Sequence, residues 1–179
     1  MSAPGGEAAR TRDGAGRAGE SSAARLQRDA IRYLRVRERS RREVAEYLER
    51  RGHSPGEITQ AMQALAESGF IDDRRFAEMY LRDRRRLHPL SRALAIRQLR
   101  AKGVETALIE EALACSDPPW EDGELAREAL ARRWSRWPAP RRAERAARFL
   151  RARGFGPGTI RAAIAQRTAG EKRAEGAGD

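Results

Sequence analysis

The chain has 179 residues, enough for one or two small domains and too few for a large enzyme with cofactor lobes. Its 37 Lys and Arg stand against 26 Asp and Glu, a formal charge of +11, and every cation except Lys102 and Lys172 is arginine, a balance that favours nucleic acid or an acidic protein surface as partner. The single cysteine, Cys115, excludes an intramolecular disulfide and a cysteine metal cluster, and no apolar run is long enough to span a bilayer, so a soluble, cytoplasmic protein is expected.

Residues 1–24 and 168–179 are rich in Gly, Ala, Glu and Arg and almost without large apolar side chains, so both ends are expected to be disordered tails. Between them the apolar spacing is helical and no stretch alternates with period two, which predicts an all-α fold. The first stripe is Ala30, Tyr33, Leu34 and Arg37, one face of a helix. Ser40 and Glu43 form a capping box that opens a second helix, closed near Arg51-Gly52. Ser54-Pro55-Gly56-Glu57 opens a third, which ends at Ser68-Gly69, and Phe70-Ile71-Asp72-Asp73 leads onward with an aspartate as cap.

The same plan then repeats. A Leu, Gly, Ile, Ala pattern occurs at Leu48/Gly52/Ile58/Ala61, at Leu99/Gly103/Ile109/Ala112 and at Leu150/Gly154/Ile160/Ala163, with a period of 51 residues both times. Upstream of it, Ala77/Tyr80/Leu81/Arg84 and Ala126/Ala129/Leu130/Arg133 repeat the first stripe. The expected architecture is three tandem three-helix modules, residues 25–69, 70–116 and 117–167, in an elongated, curved array whose members touch mainly their neighbours.

The run Tyr33-Leu34-x-x-Arg37-x-Arg39-Ser40-Arg41-x-Glu43, then Leu48-x-x-Arg51-Gly52, and above all Gly69-Phe70-Ile71-Asp72-Asp73-x-x-Phe76-Ala77, resembles the signature of the RecX family. Leu99-x-x-Lys102-Gly103-Val104 and Trp120 fit it too, and the resemblance covers about residues 26–166. His88-Pro89 departs from the glycine often found in the family's second-unit loop, and the third unit is unusually rich in Ala and Arg. The resemblance implies a regulator that lies in the groove of the RecA–DNA filament, touches recombinase and single- or double-stranded DNA, and lowers strand exchange, ATPase and coprotease activity in DNA repair and the SOS response; a monomer without a catalytic site is expected.

The irregularly placed arginines are the candidate polyanion or filament contacts: Arg39, Arg41, Arg42, Arg82, Arg85, Arg86, Arg92, Arg97 and Arg100. Spread over helix ends, they suit a phosphate backbone, against the plainer reading of a solvated face paired with glutamates such as Glu38 or Glu46. Arg37, Arg84 and Arg133 recur on the apolar stripes and read as scaffold. Asp72 and Asp73 read as helix caps rather than magnesium ligands, and His53 and His88 have no partner in sequence that would make a metal or catalytic site. Trp134 and Trp137, among arginines, suit either stacking on bases or packing a loop. Phosphate-binding glycine loops are absent, so no cofactor, metal or catalysis is expected. The competing reading is a general DNA-binding protein built from helix-turn-helix-like units.

Overall fold

The spacing of apolar residues is realised as helices throughout. In the computed structural model, which describes residues 21–176, the elements are α1 (Ser22–Leu34), α2 (Arg41–Arg50), α3 (Pro55–Glu67), α4 (Asp73–Leu87), α5 (Arg92–Ala101), α6 (Thr106–Ala114), α7 (Asp122–Ala131), α8 (Arg142–Arg151) and α9 (Pro157–Gly176). Two 3-10 turns, Trp134–Arg136 and Ala139–Arg141, lie between α7 and α8. The fold is all-α, and the described residues contain no strand.

Local chemistry explains the helix ends. Ser40 and Ser54 form complete capping boxes with Glu43 and Glu57. Asp72 caps α4 by accepting from the Arg74 and Arg75 amides at 2.8 and 3.2 Å. At the close of α2, α5 and α8, the residue after the glycine donates back to the repeat leucine: His53 to Leu48, Val104 to Leu99 and Phe155 to Leu150. Those leucines are fully buried, each stabilising the fold by roughly 1.5–3 kcal/mol.

The unstructured C-terminal tail expected from Thr168 is corrected over its first part. Helix α9 continues to Gly176, with Thr168 Oγ1 donating to the Ile164 carbonyl at 3.0 Å and Glu171 paired with Arg142 at 2.6 Å. Extending an anchored helix through Ala, Arg and Glu costs far less than nucleating one, which composition alone does not reveal. At the other end Ser21 caps α1 through the Ala24 amide, so the helix begins inside the segment expected to be a tail. Residues 1–20 and 177–179 lie outside the described residues.

The helices pair most closely within α1–α3, α4–α6 and α7–α9. Their buried side chains, however, form two clusters. One joins Leu26, Ala30, Val44, Leu48, Ile58, Leu65 and Ile71, and the other runs continuously from Phe76 to Ala163.

Two junctions join successive groups through equivalent positions, a repeat apart. At the first, the Ser40 hydroxyl donates to the Lys102 carbonyl at 2.7 Å and the Arg41 amide donates to Asp73 Oδ1 at 2.9 Å. At the second, the Ser91 amide donates to the Arg153 carbonyl at 3.0 Å and the Arg92 amide to Asp122 Oδ1 at 2.7 Å. The start of a group's second helix thus abuts the end of the next group's second helix, and an aspartate from the next group's first helix sits at the positive end of the dipole.

Gly103 and Gly154 answer two demands at these junctions. Both have φ near +80°, and a Cβ on Gly103 would lie 2.7 Å from Arg42 Cβ while one on Gly154 would lie 2.6 Å from Ser91 Oγ. Gly52 shares the dihedral but would meet nothing within 4 Å.

Candidate polyanion-binding surface

The nine candidate arginines divide by what their side chains touch. Arg41, Arg82, Arg86 and Arg97 are exposed and have no side-chain ion pair or hydrogen bond among the described residues. Arg42 pairs with Glu46 at 2.7 Å along α2, and Arg100 donates to Thr106 Oγ1 at 3.1 Å. Arg92 pairs with Glu110. Arg39 is half-buried, its guanidinium 4.2 Å above the Tyr33 ring, which is itself stacked on Tyr47 at 4.1 Å.

Arg85 is the most deeply engaged. Its guanidinium pairs with Glu128 of α7 at 2.7 Å and donates to the Pro118 and Pro119 carbonyls at 2.7 and 3.0 Å. With a side chain only 16% exposed it pins α4 to α7 and to the intervening loop. It lines a cleft of about 550 Å³ together with Arg82, Arg86, Arg132, Cys115 and Trp120. There Arg132 donates to the Arg86 carbonyl, so two unpaired guanidinium groups, Arg82 and Arg86, flank two that are fixed.

The recurring arginines sit on the scaffold. Arg37 bonds Glu43 at 3.1 Å and the Glu38 carbonyl at 2.9 Å, Arg84 lies 4.9 Å over Tyr80, and Arg133 lies 5.6 Å over Phe149. Half-buried Tyr33, Tyr80 and Phe149 each carry an arginine on the ring, a contact that keeps an aromatic edge at the surface without leaving it bare. Phe76 and Phe155 are buried outright.

The carboxylates have structural partners. Burial raises the Glu43 carboxyl, but Lys102 at 2.7 Å, Arg37 and the Ser40 amide outweigh it and hold the group below its ordinary value. Asp73 is held above its ordinary value, chiefly by burial, despite the bond from the Arg41 amide. His53, read from sequence as partnerless, is buried with Nε2 3.1 Å from Asp29, and Asp29 also accepts from Arg51 at 3.0 and 3.2 Å. Where the second group places the buried apolar Phe76 and Val104, the first places Asp29 and His53, which with Arg51 form a polar triad.

Sequence reasoning passed over a further cluster, in which Arg141 at the end of the 3-10 turn Ala139–Arg141 and Arg145 and Arg148 of α8 line one cleft with Trp137. Their i, i+4, i+7 spacing was the available signal.

Comparison with known proteins places these features. Residues 28–65 match the family model described as the RecX first three-helix domain, and residues 72–113 match that of the RecX second three-helix domain. The chain is 42% identical over 140 residues to the regulatory protein RecX of Halorhodospira halophila, spanning 76% of this chain and 84% of that one. It is 42% identical over 142 residues to that of Chromohalobacter salexigens, spanning 76% and 89%. In fold it is similar to the crystal structure of RecX from Lactobacillus salivarius, with a TM-score of 0.61 at 23% identity over 80% of this chain and 95% of that one.

Proposed function

The chain belongs to the RecX family, and from that premise we propose that it is a non-enzymatic regulator that binds the RecA–DNA filament and lowers its ATPase, strand-exchange and coprotease activity. The observation that carries this reading is the likeness to regulatory relatives along most of their length. The net charge of +11 supports a polyanionic partner, and of the nine candidate arginines Arg41, Arg82, Arg86 and Arg97, without an ion pair, are the ones left available to it. Arg85 and Arg92, held in ion pairs, act by keeping those surfaces in place rather than by reaching out. The chain reads as three modules, 25–69, 70–116 and 117–167, working as a cytoplasmic monomer, and the two repeat-related junctions support that division.

The test is single-stranded-DNA-dependent ATP hydrolysis by the cognate RecA with substoichiometric amounts of this protein added. Inhibition is expected. No effect, combined with tight binding to one particular duplex sequence, would replace the reading with that of a helix-turn-helix-like DNA-binding protein.

A further inference from the structure

The cleft between α4, α6 and α7 holds groups that the filament reading leaves unused. The first is Cys115, whose thiol is free and exposed. One repeat period away on either side stand Ala64 in α3 and Gln166 in α9, and both are exposed as well. The position faces solvent in all three groups and asks for no apolar packing, so what a thiol adds there is reactivity.

The rest of the cleft, about 550 Å³ in volume, suits a small anionic peptide. Arg82 and Arg86 line it without an ion pair among the described residues, whereas Arg85 is held by Glu128, Pro118 and Pro119, and Arg132 by the Arg86 carbonyl. Of the acids, Glu128 is paired with Arg85 and Glu78 lies 3.6 Å from Arg74, which leaves Asp117 exposed and unpaired among the described residues. Trp120 is only 6% exposed and lines the same cleft, and its indole N–H is buried without an acceptor. An unanswered buried donor is a cost that a ligand carbonyl removes.

We propose that Cys115 is a modification site that forms a mixed disulfide with glutathione or a thiol of its class, a short peptide with two carboxylates, two amide carbonyls and one ammonium group. The carboxylates fall to Arg82 and Arg86, the ammonium to Asp117 and an amide carbonyl to the Trp120 N–H. A nucleotide would also meet the arginines, but it brings no cation for Asp117 and no sulfur for Cys115. The co-reactant is glutathione disulfide. The Cys115 sulfur, its proton released to solvent, attacks one sulfur of that disulfide; the old S–S bond breaks, a new one joins Cys115 to one glutathionyl group, and the other leaves as the thiolate. Cys115 is oxidised and the departing sulfur is reduced, so no further oxidant enters, and a reducing thiol reverses the step. For its consequence the proposal rests on the filament reading: the adduct covers two of the arginines left available to a polyanion, so the oxidised protein binds the filament more weakly.

The test incubates the full-length protein with glutathione disulfide and, in parallel, with the uncharged hydroxyethyl disulfide, following adducts by intact mass. A single glutathionyl adduct is expected, absent from Cys115→Ser and released by dithiothreitol. Relative to hydroxyethyl disulfide, the reaction with glutathione disulfide should slow about tenfold in Arg82→Gln/Arg86→Gln, with an unchanged circular dichroism spectrum, and should slow likewise at high salt in the parent. The adduct should also shield Arg82 and Arg86 from phenylglyoxal. The same rate ratio in the parent and in the glutamine variant would overturn the site, as would arginines that stay reactive in the adduct. Filament binding is then compared before and after treatment, with loss expected in the parent and no change in Cys115→Ser. Equal binding by adduct and parent would overturn the consequence. If the unmodified protein neither binds nor inhibits RecA, the filament reading fails, while the rate ratio and the shielding still decide the site.

Discussion

The Ser40 hydroxyl donates to the carbonyl of Lys102, 62 residues away, while accepting from the Glu43 amide of its own helix. One side chain therefore starts α2 and joins the first group to the second. Ser91 holds the equivalent place: its hydroxyl accepts from the Leu94 amide and its own amide reaches Arg153. Both serines are completely buried, so each hydrogen bond lost there would leave a polar group away from water.

Substituting Ser40 and Ser54 by alanine separates the two roles. Both residues cap helices with a glutamate, but Ser54 is exposed and has no junction partner. Ser54→Ala should cost about 1 kcal/mol, the usual value of a cap. Ser40→Ala should cost roughly 2–3 kcal/mol, because the Lys102 carbonyl also loses its donor. Urea unfolding measures both, and equal losses would remove the junction from the explanation.

The glycines make a second comparison. Gly52→Ala imposes only the positive φ, at about 1 kcal/mol. Gly154→Ala adds contact with Ser91 and Leu94, for a further ~1–3 kcal/mol from overpacking. A thermal melt in which Gly52→Ala falls as far as Gly154→Ala would contradict the junction geometry.

Asp29 predicts a pH dependence. Arg51 bonds its carboxylate and, with a smaller contribution from His53, holds it below its ordinary 3.8 against the opposing effect of burial. A depressed folded value means that the stabilisation is complete above the unfolded value and is lost as pH falls through the folded one. Stability of the wild-type chain should therefore drop on acidification below about pH 4. Asp29→Asn should be less stable at neutral pH and flatter over the acid range, and urea midpoints that run parallel for the two proteins would argue against this assignment.

Arg85 and its neighbours distinguish scaffold from contact surface. Arg82→Glu with Arg86→Glu should weaken filament binding and flatten its salt dependence by about one unit per lost phosphate contact, with the helical spectrum unchanged. Arg85→Glu should instead lower the unfolding midpoint, since it places a carboxylate against Glu128 and the Pro118 and Pro119 carbonyls. If Arg82→Glu/Arg86→Glu binds as the parent does, the cleft between α4 and α7 is not the contact surface.

Much of this protein is legible because its information is local. The all-α class, both capping boxes and the 51-residue recurrence of Leu48, Leu99 and Leu150 follow from spacings within a few turns of helix. Ser, Glu and Gly act on amides and dihedrals within a few residues, so sequence order is enough to place them. The family signature from Gly69 to Ala77 is likewise a continuous run, and the comparisons show the family that it pointed to.

Only the tertiary structure decided what each charge is for. In sequence Arg85 and Arg86 are adjacent and alike, yet one is fixed to Glu128 and the other is free. Asp72 and Asp73 both looked like caps, yet Asp73 turns to the amide of Arg41 in another group. Gly52 and Gly154 share a motif position, yet only the second has a neighbour pressed against it. The reason is physical: an ion pair or a close contact depends on which surface lies across a few ångströms of space, and that surface comes from residues tens of positions away in the chain.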